Sequence, residues 1–356
     1  MATHSPRGPR WLRLAAALVA AGAAYFLFWP TPIDPVAWEP SPDPGYTRQV
    51  GPGEIRSLPE AGAGPEAVAI GPDGSLYTGL QDGRVVRLRP DGASETFVQT
   101  GGRPLGMKFD RSGRLLMADA FRGLLAVAPD RSLTVLADSV NGRRMLFPND
   151  LDIVQDGGIW FSDTSQRFDQ RHWMAEFWEG RATGRLLHYD PRTRRVEVKL
   201  DGLRFANGVA LGPDEAFVLV NETTAARITR LWLKGPRAGQ RETFATLPGY
   251  PDNLTYNGRG IFWVALATPR VKALEMLAGW PRVRRALFRI PAAIRDPKPG
   301  RMAWVIGLDA EGRTVREWQD PAGRFGSLAS AVESAGRLYV GSIQTSSVGW
   351  LEAPGR

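Results

Sequence analysis

Six times along the chain a tight turn leads at once into a short apolar run. The first is GPDGSLY at 71–77; the others are DRSGRLL (110–116), QDGGIW (155–160), GPDEAFV (212–218), NGRGIFW (257–263) and SAGRLY (334–339). Aligned on the turn, successive units stand 39, 44, 58, 45 and 76 residues apart. Within a unit the apolar residues alternate in short strands, as in Ala67–Ile70, Leu76–Thr78, Arg84–Leu88 and Thr96–Val98. Four strands in a unit of roughly 40 residues is the signature of a propeller blade. The spacing therefore predicts an all-β chain: a six-bladed β-propeller with four-stranded blades over residues 46–356. Strand material at Tyr46 to Leu58 is expected to pair with the last blade and close the ring, which hides sheet edges. The two long spacings predict insertions at about 168–180 and 271–300, both with helical apolar spacing.

Composition narrows the chemistry. Forty Gly and 28 Pro in 356 residues suit a turn-rich β chain. No cysteine is present, which removes disulfides and thiolate metal sites. Three His leave little for zinc or iron. The formal charge of +8 does not imply nucleic acid, because the net positive excess gathers in two places. Arg7, Arg10 and Arg13 precede an apolar stretch, and nine Lys/Arg fall between Arg270 and Arg301. Both clusters suit an anionic membrane surface.

Leu14 to Trp29 is a run of sixteen uncharged residues, short for a spanning helix. With arginines before it, it predicts a signal anchor over residues 1–29. The N-terminus would be cytoplasmic and the propeller extracytoplasmic or periplasmic; a cleaved signal peptide is the weaker alternative. Residues 30–45 are Pro-rich and read as a semi-rigid stalk that lifts the propeller off the bilayer. The membrane is thus an expected partner, through the N-terminal helix and through the basic insertion 270–301.

Eight residues before the last turn position, the six units carry Glu66, Leu105, Asn149, Asn207, Asp252 and Leu328. The first strand of a propeller blade lines the central channel, so equal offsets converge on one axis. Glu66, Asn149, Asn207 and Asp252, with Asn253 beside the last, give two carboxylates and up to three carboxamides. Calcium takes six to eight oxygen ligands in a flexible shell, so Ca²⁺ is the expected cofactor.

The segments FPNDLDI, GRLLHYDP, FANGVAL, VNETTAARITRLW and YPDNLTYNGRGIFWVAL resemble the strictosidine synthase-like branch of the gluconolactonase–paraoxonase six-bladed propeller superfamily, a branch that includes adipocyte plasma membrane-associated proteins. The resemblance covers about 46–353. It implies a channel calcium held by Glu66, Asn149, Asn207, Asp252 and Asn253. Where paraoxonases carry an Asp after the first-blade Glu, this chain has Ala67. No counterpart of the paraoxonase histidine pair is found at His172 or His188. The strand Phe325 to Ala331 lacks the glutamate that strictosidine synthase uses, and Glu333 lies beyond it, so condensation of the strictosidine type is not expected.

The expected activity is hydrolysis of a small-molecule ester or lactone. Asp252 would serve as general base or carboxylate nucleophile, and Asn149 and Asn207 would orient substrate through their amide N–H groups. Trp173 and Phe177 would form an apolar wall. The alternative is a non-catalytic, membrane-tethered propeller with a structural calcium that binds a protein or sugar partner. A serine triad is a poor rival, because no Gly-x-Ser-x-Gly elbow is present and only two His fall in the folded part. The oligomeric state and the natural substrate are left open.

Overall fold

The computed structural model describes residues 10–46, 54–296, 300–320, 323 and 325–353. Six four-stranded antiparallel sheets stand around a central channel. Their inner strands are Val68–Ile70, Pro104–Phe109, Pro148–Ile153, Ala206–Leu211, Gly249–Tyr256 and Leu328–Ser334. In each of the first five blades the strands follow in chain order from the axis outward. The sixth is completed by Arg56–Glu60, which pairs antiparallel with Ser347–Glu352 and so closes the ring as expected. Residues 47–53 of the expected closing segment lie outside the described residues.

The turn register has a backbone cause. All six last-turn positions have positive φ: Gly74, Gly113, Gly157, Gly260 and Gly336, with Glu215 (φ 54) in the fourth. Glycine enters that region without a Cβ clash, which is why five of the six turns use it.

The apolar core is divided into layers between neighbouring blades. One layer joins Tyr77, Val85 and Phe97 to Met107, Leu115 and Leu125. Another sets Phe217, Ile228 and Phe244 against Phe262, Val264 and Trp304. Because each sheet buries both faces against its neighbours, the axis is left for polar side chains.

Both insertions are helical. The first carries α2 (Trp173–Glu179). The second carries α3 (Lys272–Met276), α4 (Pro281–Leu287) and α5 (Ala292–Arg295). They leave the second strands of the third and fifth blades just past Asp163 and Pro269, which pair with Pro148 and Gly249 at the starts of the inner strands. Both therefore sit at the channel end where Asn149 and Asp252 lie.

The uncharged N-terminal stretch forms part of α1 (Arg10–Phe28), with Arg10 and Arg13 in its first turns. Among the described residues no helix is long and apolar enough to cross a membrane. Residues 1–9, including Arg7, lie outside the described residues, as does Lys298.

The Pro-rich segment after α1 is not a free stalk. Ile33 is buried with Ala175 and Trp178. Val36 N–H donates to Glu179 O (3.1 Å) and Trp38 N–H to Ala278 O (3.2 Å). Arg270 donates to the carbonyls of Ser41 and Pro42. An extended proline-rich backbone makes no internal hydrogen bonds, so its carbonyls remain available to the insertions' arginines. The segment is a strap lying across both insertions.

Candidate metal centre at the mouth of the central channel

Glu66, Asn149, Asn207, Asp252 and Asn253 are all buried. Asn149 and Asn207 are each the second residue of an inner strand, Asp252 and Asn253 lie midway along theirs, and Glu66 sits just before Val68. Leu105 and Leu328 fill the other two positions and are fully buried.

The orientation of two carboxamides is fixed by hydrogen-bond logic. Thr164 Oγ1 donates its only proton to Ala206 O (2.7 Å) and accepts from Asn149 Nδ2 (3.1 Å). Thr223 Oγ1 donates to Pro251 O (2.7 Å) and accepts from Asn207 Nδ2 (3.2 Å). Each amide nitrogen must face its threonine, so each amide oxygen faces away from it. Asn149 Oδ1, Asn207 Oδ1 and Asn253 Oδ1 are buried and accept no hydrogen bond from the protein. Buried carbonyl oxygens without a donor cost about 1–3 kcal/mol each, a cost that a bound cation would offset. In the second blade the ligand position is Leu105 and the threonine position is Ala120, both in one apolar cluster. Threonine appears where there is an asparagine to hold.

The carboxylates fit the same reading. Burial raises the pKa of Glu66, opposed by Arg103, whose guanidinium lies 2.7 Å from Glu66 Oε2. Burial, then the nearby Glu66 carboxylate, drives Asp252 well above the ordinary range. Two buried carboxylates served by one buried arginine favour an added positive charge. Two carboxylates and three carboxamide oxygens, with no imidazole or thiolate, match a hard cation such as calcium.

Asn149 and Asn207, expected to orient substrate through their amides, each commit one N–H to a threonine of their own blade, so the protein sets the orientation of both groups. Thr164, Thr223 and Arg103 are site residues that the turn register did not point to. Arg103 lies two residues before Leu105, where the third, fourth and fifth blades carry Phe147, Phe205 and Tyr250. Those three aromatics stand above the oxygen ring. Phe177 of α2 packs edge-on against Phe205 (5.4 Å between centroids) and Tyr250 (5.6 Å), and Trp173 packs on Phe177 (5.7 Å). Trp173 and Phe177, expected as an apolar substrate wall, thus pack into one aromatic cluster with the strand entries.

Asp150, next to the ring, accepts from Val209 N–H through Oδ2 (2.9 Å), and burial pushes its pKa up to about 7. Below the ring a cavity of about 240 Å³ opens at the other end of the channel, lined in part by Lys108, Asp152, Thr255 and Glu333.

Glu176 of α2 is buried beside Glu179 and accepts from Ser165 Oγ (2.6 Å). Burial, with the Glu179 carboxylate adding to it, raises its pKa from 4.5 to about 7. The unfolded chain then loses this proton before the folded one, so stability falls as pH rises from about 4.5 to about 7. Glu176→Gln is expected to raise the Tm at pH 8, by an amount corresponding to up to about 3 kcal/mol, and to do little at pH 4.5. A thermal melt of both proteins at the two pH values checks it.

The strictosidine synthase profile matches residues 149–236, and the profile for the N-terminal part of strictosidine synthase-like proteins matches 54–88. Strictosidine synthase-like protein 13 of Arabidopsis thaliana is 37% identical over 325 residues, covering 82% of this chain and 78% of the relative. The chain belongs to the strictosidine synthase-like family. The adipocyte plasma membrane-associated protein of Danio rerio is 37% identical, over 82% of this chain and 75% of its own. Among solved structures, a gluconolactonase from Xanthomonas campestris superposes with a TM-score of 0.63 at 20% identity, over 90% of this chain and 98% of its own. The calcium-binding regucalcin of Agrobacterium tumefaciens superposes at 0.56 and 16% identity, over 84% and 96%. At those identities the superpositions speak for the fold.

Glu333 and the two histidines of the described residues all lie away from the oxygen ring. Glu333 lies at the far end of the channel, bound by Asn257 Nδ2 (2.7 Å) and Trp263 Nε1 (2.8 Å). His172 is exposed and bound to Asp169, and His188 packs tilted against Trp160 (4.9 Å between centroids). Neither imidazole is among the groups at the ring.

Proposed function

We propose that this protein is a calcium-dependent hydrolase of esters or lactones, held at a membrane on its extracytoplasmic side. The observation that carries the reading is the set of three buried carboxamide oxygens without donors beside two buried carboxylates. Glu66, Asn149, Asn207, Asp252 and Asn253 would hold the ion. Bound there, calcium would act as a Lewis acid toward the substrate carbonyl. The resemblance of the fold to a gluconolactonase and to a calcium-binding regucalcin supports the reaction class and the metal. The chain's adipocyte relatives are plasma membrane-associated proteins by name, which supports the membrane.

The chain's own residues would do the rest. Asp252 is the assigned general base. It takes a proton from water as the water oxygen bonds to the carbonyl carbon, and returns it to the leaving alkoxide as the C–O bond breaks. Phe177, Phe205 and Tyr250 exclude bulk water and receive the apolar part of the substrate. Thr164 and Thr223 keep the amide oxygens turned to the axis. Thr164→Val and Thr223→Val are each expected to weaken calcium binding by about 10–100-fold, read by titration calorimetry. Equal affinity in both variants would remove their positioning role.

Hydrolysis of phenyl acetate and a lactone panel, with calcium and with chelator, tests the reading. Turnover that vanishes with chelator and returns with calcium supports it; undiminished turnover in chelator overturns it. The packing of Phe177 against Phe205 and Tyr250 favours the second reading, a capped platform for a protein or sugar. That reading gains if no substrate turns over while calcium raises the Tm.

A further inference from the structure

The strap and the second insertion carry an unpaired surface at the same channel end as the oxygen ring. Met276, Trp280 and Ile294 are 77%, 63% and 78% exposed, on or beside α3 to α5. Exposed apolar side chains of this size on one short insertion mark an interaction surface. Lys272 and Arg282 are exposed among them. Arg181 and Arg285 share the single carboxylate of Asp34, so the patch is positive overall.

The apolar helix α1 ends on this surface. Arg289 donates to Trp29 O (2.7 Å) and Phe26 O (2.7 Å), and Tyr25 Oη donates to Arg289 O (3.0 Å). Where α1 meets α4 there is an open groove of about 470 Å³, lined by Phe28, Trp29, Ile33, Arg285 and Arg289, with the Asp34 carboxylate paired to Arg285 at its edge. Aromatic and apolar walls with two guanidinium groups suit a lipid headgroup and the start of its chains.

We propose that α3 to α5 and α1 together form a face that lies on an anionic lipid bilayer, with the mouth of the central channel turned toward it. Charge complementarity selects the occupant: basic residues among exposed Trp, Met and Ile match the headgroup region of an acidic leaflet. Continuity fixes the geometry. The strap between α1 and the first blade is hydrogen-bonded to both insertions from Asp34 to Pro42, so the propeller rests on the bilayer instead of standing off it. Substrates that partition into the bilayer would reach the channel without crossing bulk water.

The chain has no cysteine, so single labels can be introduced cleanly. Met276→Cys and Ile294→Cys in the full chain, each carrying an environment-sensitive fluorophore, are mixed with phosphatidylcholine vesicles with or without phosphatidylserine. Arg111→Cys, on an exposed turn at the opposite channel end, is the control. Blue-shifted, brighter emission at 276 and 294 on phosphatidylserine vesicles, with none at 111, is the expected result. The double charge reversal Lys272→Glu with Arg282→Glu is expected to weaken that binding by about tenfold or more. Labels that stay unchanged while the chain floats with the vesicles would show α1 alone attached and overturn the proposal. So would a shift equal on phosphatidylcholine alone, or one that follows protein concentration without vesicles, which would indicate a second copy. No readout involves hydrolysis, so this proposal and the hydrolase reading fail separately.

Discussion

Asp252→Asn is expected to lower ester or lactone turnover by about 10²–10⁴-fold, the range for loss of a positioned general base, and to weaken calcium binding in the same protein. The change is isosteric, so the inner strand Gly249–Tyr256 and the bond from Asn221 Nδ2 to Asp252 O should persist. The chelated variant should melt no lower than the chelated parent, because Asp252 stands buried beside the Glu66 carboxylate and the substitution removes that repulsion. Loss of turnover with an unchanged or higher Tm in chelator separates a role at the ion from a role in folding. Turnover retained within a few-fold would remove Asp252 from the chemistry and leave the ring as a support.

Arg284→Met should release the strap. Arg284 is buried inside the second insertion, and its guanidinium donates to Trp178 O (3.0 Å), Glu179 O (3.1 Å), Ala278 O (3.1 Å) and Val36 O. One side chain thus joins α2, the α3–α4 connection and the strap. Removal leaves four carbonyls without this donor, and the local cost is about 3–5 kcal/mol. The opening should be local, because the blades bury their own inter-sheet layers. Hydrogen exchange should therefore accelerate by about 10²–10³-fold at the Val36 and Trp38 amides, which are bonded to Glu179 O and Ala278 O. Core strand amides such as those of Leu219 and Val264 should keep their protection. Uniform acceleration across the blades would mean that Arg284 supports the whole fold and that the strap is not a separate element.

The two predictions differ in how visible their residues were before the fold was known. The ring was legible because it follows a local rule: a positive-φ turn, a hairpin, and a ligand position eight residues upstream, repeated in register. Glu66, Asn149, Asn207 and Asp252 are spread over 187 positions, yet each is fixed by a signal within one hairpin. The threonines were half legible. They lie 15 and 16 residues after their asparagines, and the matching Ala120 after Leu105 completes the pattern, but a bulge in each pairing blurs the offset. Arg103 could have been noticed as a charge placed directly before the apolar start of the strand Pro104–Phe109.

The strap was not legible at all. Arg284 and Val36 are 248 positions apart, and no periodicity links a proline-rich segment to an arginine in a distant insertion. Composition alone suggests a stalk, because isolated proline-rich chains are extended. What overrides it is the supply of buried donors on the insertions, a tertiary fact. The same limit applies to Asn149 and Asn207: their residue type announced oxygen donors, while the commitment of their N–H groups depended on which threonine faced them across the blade.

The account's central claim is that the ring of Glu66, Asn149, Asn207, Asp252 and Asn253 holds one calcium ion, and titration calorimetry of calcium into the chelated full-length protein tests it most directly. The expected result is a single saturable site per chain, lost in Asp252→Asn and in Glu66→Gln. No heat of binding, or binding that survives both substitutions unchanged, would contradict it.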